Sequence, residues 1–313
     1  VHMIACVGIL VADVMGKPVS ALPKRGSLER VDKIELHTGG NALTAARNIK
    51  KMGISSAAVG KIGCDALGDF LLSELKKDGV DTRSISRSDT AQTSASAALI
   101  SEDGERCFLH CVGADGVFRM SDVDWNVIDE SEIVFVTGIF LLDEFDTYDL
   151  AEFLKRCKEM GKITAADVCR DTEGRWGSVI NDALPYIDIF LPSIDEAKMI
   201  AGKETPKDCA DVFFEKGVKS VVIKLGGDGC YARKSKEEQG KSYPCCRGVV
   251  PVDTTGAGDR FCSGFLAALS KGKDFYECVR FANAAGARCV MSIGASTGMK
   301  SYEETEKFMN ERT

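Results

Sequence analysis

The chain has 313 residues, 44% of them hydrophobic and 28% charged, and a net charge of −7. That length and mix fit one large α/β domain or two smaller ones and exclude a disordered chain. The acidic balance argues against nucleic-acid binding, and the longest apolar run, IVFVTGIFLL from Ile133, is about half a membrane span.

Val1 and His2 precede Met3 and are set aside; no signal-peptide pattern follows, and the protein reads as cytoplasmic. The apolar run IACVGILVA from Ile4 predicts one buried strand. NALTAARNIKKMG predicts a helix with Ala42, Ala45, Ala46, Ile49 and Met52 on one face, closed by Gly53. AAVGKIG reads as the next strand, and Asp65 is placed to cap the helix ALGDFLLSELKKDG, which ends at Gly79. The strands IVFVTG, KITAAD, IDIFLP and SVVIKLG follow, separated by helical segments. Such alternation implies a mostly parallel sheet covered on both faces, a three-layer α/β sandwich.

Two segments break the rhythm. Residues 14–38 hold prolines and then a polar/apolar alternation, and residues 92–112 read as a hairpin turning at EDGE. These pieces are expected to pair into a small projecting sheet, a lid formed by segments 14–38 and 91–112 inserted in a single domain spanning 1–313. Edge decoration of the main sheet is the other reading.

Thirteen cysteines contain no C-x-x-C pair, and His2, His37 and His110 are scattered. Cys6, Cys230, Cys262 and Cys289 lie in apolar runs, where cysteine packs as a small hydrophobe. The set reads as free thiols in a reducing compartment.

Three glycine clusters follow predicted strands: TGGN at 38–41, LGGDG at 225–229 and TGAGD at 255–259. None is a Walker A loop, and none is a dinucleotide fingerprint, because Phe261 stands where the third glycine would be. VDTTGAGDRF, residues 252–261, opens a helix with Phe261, Phe265, Leu266 and Leu269 at helical spacing. A glycine-rich turn at a helix start aims N–H groups and a positive helix end at one point. Asp259 beside it would repel a resting anion, yet would serve a hydroxyl that attacks a bound phosphoryl group. A simple capping aspartate is the competing reading.

DTTGAGDRFCSGF resembles the C-terminal signature of the ribokinase-like (PfkB) carbohydrate kinase family. Gly39, Gly40, Ala42, Ala46, Gly53 and Gly63 resemble its N-terminal signature, and the stretch VGKIGCDALGDFLLSELKKDGVDT extends the likeness over nearly the whole chain. The resemblance implies a ribokinase-like fold with a β-sheet lid, and transfer of the ATP γ-phosphate to a hydroxymethyl group of a small sugar. It makes Asp259 the catalytic base and Gly256, Ala257 and Gly258 the anion hole. It places Asp13, Gly39, Gly40, Asn41 and Thr44 on the acceptor, with Asp167 and Arg170 at the pocket's edge. Lys224, Gly226, Gly229, Asn283 and Ser193 are implied on the nucleotide side. Glu196 is implied for Mg²⁺ through water, and Asp253 and Thr255 for a monovalent cation such as K⁺. Ser193, Thr44 and Cys169 depart from the pattern, each standing where asparagine is usual. Arg106 and His110 are weaker candidates on the lid. A homodimer through the lid is a further expectation, with neither membrane nor nucleic-acid partners. The alternatives are a nucleoside kinase of the same fold and a non-catalytic sensor. Phe108 is the one aromatic that stands out on the lid, against a nucleoside, while Lys17, Lys24, Arg25 and Arg106 leave a sugar phosphate open.

Overall fold

The structure, a computed structural model, describes residues 3–19, 21, 24–102, 106–252, 254–291 and 300–312. Thirteen strands are β1 (Met3–Gly8), β2 (Val11–Lys17), β3 (Lys33–Gly39), β4 (Ser55–Gly63), β5 (Ile85–Ser88), β6 (Ala95–Ile100), β7 (Arg106–Cys111), β8 (Ser131–Ile139), β9 (Ile163–Val168), β10 (Ile189–Phe190), β11 (Ser220–Lys224), β12 (Cys230–Arg233) and β13 (Lys241–Tyr243). Ten α-helices are α1 (Asn41–Lys51), α2 (Ala66–Lys77), α3 (Trp125–Asp129), α4 (Leu150–Glu159), α5 (Gly177–Ile180), α6 (Ile194–Ala201), α7 (Pro206–Glu215), α8 (Ala257–Ser270), α9 (Phe275–Val290) and α10 (Tyr302–Arg312).

Nine strands form the main sheet in the order β13-β12-β11-β10-β9-β8-β1-β4-β5. Pairing is parallel from β11 to β5 and antiparallel at the β11-β12-β13 edge. Successive side chains of a strand point to opposite faces, and the central strands feed two cores accordingly. Ala5, Val7, Val134 and Val136 pack with α3 to α7 on one face, while Ile4, Cys6, Ile133 and Phe135 pack with α1, α2 and α8 to α10 on the other. Helical spacing does the matching work: α4 buries Leu150, Phe153, Leu154 and Cys157 at i, i+3, i+4 and i+7. Each large apolar side chain so buried contributes about 1.5–3 kcal/mol. The result is the expected three-layer sandwich. Asp65 caps α2 by accepting from Gly68 N at 2.9 Å, and Gly53 takes a positive φ of 78° just past α1, as the sequence predicted.

The run IACVGILVA is not one strand. It divides at Ile9 and Leu10 into β1 of the main sheet and β2 of a separate four-stranded sheet ordered β3-β2-β6-β7. The cause lies far along the chain: buried Asp115 accepts from Leu10 N at 3.0 Å, and Ala12 N donates to Ser94 O at 2.9 Å, which lead the backbone out of the main sheet. β6 and β7 pair antiparallel, so the predicted hairpin forms; its turn at 103–105 lies outside the described residues. The small sheet stands apart from the main one, rather than decorating its edge.

All thirteen cysteines are free, eight of them buried and Cys64, Cys107 and Cys111 exposed. Among the described residues no helix is long and apolar enough to cross a membrane.

Candidate active site

Parallel strands point their carboxyl ends at one edge of the sandwich, where loops lead into helices and ligands bind. Here the ends of β9 and β11 converge on the N-terminus of α8. Gly256 caps that helix in the left-handed conformation (φ 74°, ψ 7°), which a glycine adopts without steric cost. The first N–H groups of a helix have no carbonyl partner within it; here the Ala257 N–H, expected in the anion hole, donates instead to Thr254 O at 3.2 Å, so the turn offers donors only beyond Ala257.

The first turn of α8 borders two cavities. The larger, about 490 Å³, is lined by Ala257, Gly258 and Phe261 of α8, by Lys224, Gly226 and Gly229, and by Asn283 and Ala287 of α9. Val249, Pro251 and Val290 give it an apolar wall. The smaller, about 220 Å³, is lined by Asp259, Asn41, Gly40, Asp13, Ser96, His110, Ile9, Val11 and Leu141. Consecutive residues of one helix turn thus face different chambers: Ala257 and Gly258 the large one, Asp259 the small one.

In the small chamber Asn41, the first residue of α1, donates from Nδ2 to Asp259 Oδ1 at 2.7 Å. Burial pushes the Asp259 carboxyl above the usual carboxylate range, and the Asn41 hydrogen bond, Lys224 and Arg260 oppose it. Asp13 enters from β2, directly across from His37 on β3 and Ser96 on β6. Burial raises its carboxyl too, against the Ser96 hydroxyl and the two nearby imidazoles. His110 Nδ1 lies 3.1 Å from Ser96 Oγ, and burial lowers its pKa, which favours the neutral ring. Gly39 is crowded by Asp13: a Cβ there would stand 2.1 Å from Asp13 Oδ2, so the carboxylate would have to shift.

Beneath the large chamber, Lys224 Nζ donates to Asp167 Oδ2 at 2.7 Å. Burial works against the Lys224 charge, but Asp167, Cys262 and Glu196 outweigh it and hold the ammonium protonated. Cys262 Sγ lies 3.4 Å from the same carboxylate oxygen. A Cβ on Gly258 would stand 3.6 Å from Lys224 Nζ, so the cation borders the helix start. Asn283 is tied to the end of β13, donating from Nδ2 to Tyr243 O at 3.4 Å, and faces the large chamber.

Other expected residues fall outside the two linings. Thr44 is buried on α1, one turn past Gly40, whose carbonyl accepts its N–H at 2.9 Å. Arg170 is exposed, and Asp167 belongs with Lys224 rather than at the edge of the small pocket. Ser193 and Glu196 form a capping box at the start of α6, with Ser193 N donating to Glu196 Oε2 at 2.8 Å. Burial and the Asp167 charge raise the Glu196 carboxyl, with Lys224 opposing. Asp253 lies outside the described residues, and the Thr255 carbonyl accepts from Cys289 Sγ at 3.3 Å. Lys17 is engaged with Glu35 at 2.9 Å, Lys24 and Arg25 are exposed, and the Arg106 side chain is outside the described residues.

Features missed in the sequence include the pairing of Asp167 with Lys224, the places of Ile9, Val11, Ser96 and Leu141 in the small chamber, and the apolar wall of the large one. Ser96 alternates with Ala98 in β6, so strand period pointed to one shared face; the Asp167–Lys224 pair, 57 residues apart, left no local signal.

An uncharacterized sugar kinase from Archaeoglobus fulgidus is 29% identical over 251 residues, covering 80% of this chain and 97% of its own. The 2-dehydro-3-deoxygluconokinase of Bacillus subtilis is 26% identical over 294 residues, covering 91% and 90%. The structure of Arabidopsis thaliana ribokinase complexed with ribose and ATP superposes with a TM-score of 0.83 at 26% identity, covering 98% of each chain. The family model for pfkB carbohydrate kinases matches residues 1–301, and the chain belongs to that family.

Proposed function

We propose that this protein transfers the γ-phosphoryl group of ATP to a hydroxymethyl group of a small sugar, with the nucleotide in the large cavity and the acceptor in the small one. The observation that carries the reading is that one turn of α8 borders both, with Ala257 and Gly258 on one side and Asp259 on the other. The names of the relatives support a sugar-sized acceptor and, through the ribokinase complex, ATP as donor.

Phosphoryl transfer asks the protein for positioning and for charge stabilisation more than for covalent chemistry. The N–H groups of the first turn beyond Ala257 meet the charge that develops on the transferred group, aided by the helix dipole and by Lys224. Asp259, held by Asn41, accepts the hydroxyl proton as the acceptor oxygen attacks. Asp13, with Ser96 and His110 around it, offers acceptors and donors to sugar hydroxyls. The four-stranded sheet supplies Asp13, Ser96 and His110 to the pocket, so its closure over the sugar excludes water from the reaction.

Among the described residues no three His, Cys, Asp or Glu side chains are grouped to hold a metal. Mg²⁺ would be carried on nucleotide phosphates and water, with only a carboxylate or two nearby. Glu196, whose charge couples to those of Asp167 and Lys224, would orient such water, and the ion would neutralise phosphate charge. No step here depends on a monovalent cation at Asp253 and Thr255.

The outer face of the lid supports a homodimer. Leu36, Val14, Ala97 and Leu109 form one cross-strand row, and Ile34 follows in the next. Val14, Ile34, Leu36 and Leu109 are exposed there, an apolar face of the kind that marks an interface.

A coupled assay of ADP release over pentoses, hexoses, sugar acids and nucleosides tests the function. Acceptor-dependent ADP formation with at least one sugar is expected. ATP binding without turnover on any hydroxylated compound would leave a sensor, not a kinase.

A further inference from the structure

The Cys169 thiol, just past the end of β9, lies 3.3 Å from Asn41 Oδ1, and the Nδ2 of the same amide donates to Asp259 at 2.7 Å. Cys169 is itself fixed by its backbone N–H, which donates to Ile139 O at the end of β8 at 2.9 Å. An amide has two ends of nearly equal shape and opposite polarity. With a donor on its oxygen end, its nitrogen end must face the carboxylate; reversed, its carbonyl would oppose Asp259 and favour the protonated acid.

We propose that Cys169 is a positioning residue for the catalytic base, its S–H holding the Asn41 amide in the orientation that donates to Asp259. The inference rests on Asp259 being the base of the reaction above. The thiol must stay protonated to act, and its surroundings secure that: burial first, then the Asp167 and Asp259 carboxylates, push its pKa well above the ordinary thiol range. The charged and titratable groups around Asp259 are Lys224 at the end of β11, Arg260 on α8, Glu196 on α6 and Asp167 on β9, with Asp13 on β2 and His110 on β7 lining the same chamber. Among the described residues, Cys169 is the side chain whose hydrogen bond reaches the oxygen end of Asn41. Asp167 and Cys169 are two residues apart on one extended segment, a spacing that sends both side chains to the same side. The end of β9 therefore engages Lys224 on the nucleotide side and Asn41 on the acceptor side.

The test compares Cys169→Val, which keeps volume and removes the donor, with Cys169→Ser, which keeps a donor. The Asp259 carboxyl is titrated by ¹³C NMR of aspartate-labelled full-length protein, with Asp259→Asn identifying its resonance, and kcat/KM is measured across pH in parallel. In Cys169→Val the titration and the acidic limb of kcat/KM move to higher pH by about half to one pH unit, and kcat/KM below neutrality falls about three- to tenfold, the range of one hydrogen bond. KM for the nucleotide stays put, and Cys169→Ser restores the wild-type limb. A Val variant that titrates as the wild type overturns the proposal, as does an equal effect of Ser and Val, which would make the role one of packing. A wild-type protein that phosphorylates no sugar refutes the kinase reading instead, and the NMR titration still judges the positioning contact.

Discussion

Asp259→Asn tests the proposed base apart from the glycine turn beside it. The asparagine side chain has nearly the shape of the aspartate it replaces, and its oxygen can keep the bond from Asn41 Nδ2, 2.7 Å long in the wild type. The backbone of Ala257 and Gly258 that lines the large cavity is untouched. What disappears is the proton acceptor, and a positioned general base is worth about 10²–10⁴-fold. In steady-state assays kcat should therefore fall by that factor, about 3–5 kcal/mol in the barrier, with nucleotide Kd nearly unchanged. The acidic limb of the wild-type kcat/KM profile should lie above the ordinary carboxylate range, because burial raises the Asp259 carboxyl and only its ionised form accepts a proton. That limb should vanish in the variant. Stability provides an internal control. An acid whose pKa is raised by folding destabilises the native state once pH exceeds its unfolded value, so Asp259→Asn should unfold at the same or a higher temperature at pH 7. A variant that keeps kcat within tenfold of wild type would refute the reasoning; it would not make Asp259 a helix cap, since Gly256 holds that position and no side chain caps α8.

Lys224→Ala should cost about 3–5 kcal/mol in urea unfolding, because it strands the Asp167 carboxylate, 4% exposed, without its partner; KM for the nucleotide should rise with it. Gly39→Ala should drive Asp13 out of place, since the new methyl would stand 2.1 Å from its carboxylate oxygen. Acceptor KM should rise about tenfold or more with nucleotide KM unaltered, read from paired saturation curves. Leu109→Lys, placing a charge on a side chain 71% exposed on the lid, should shift sedimentation from dimer to monomer; a wild-type monomer would remove the lid interface.

The layered fold was legible because both of its periodicities are local: alternate residues of β1 and β8 divide between two cores, and α4 repeats at helical spacing. The glycine turn before α8 and the Asp65 cap were legible for the same reason, each being written in a few adjacent residues. IACVGILVA misled because both strands that it forms are buried where they meet, so hydrophobicity runs unbroken across Ile9 and Leu10. The break is imposed by Asp115, 105 residues away from Leu10, which no local pattern can announce. Asp167 illustrates the same limit within the site. Its position at a strand end was visible, but which chamber it served depended on Lys224 at the end of a strand two places across the sheet.

The most direct test of the central claim is a crystal structure with a non-hydrolysable ATP analogue and a sugar that supports turnover. The terminal phosphate is expected at the N–H groups of the first turn of α8 beyond Ala257, and a sugar hydroxymethyl oxygen within hydrogen-bond reach of the Asp259 carboxylate. A sugar bound away from Asp259, or a nucleotide whose terminal phosphate points away from the start of α8, would contradict it.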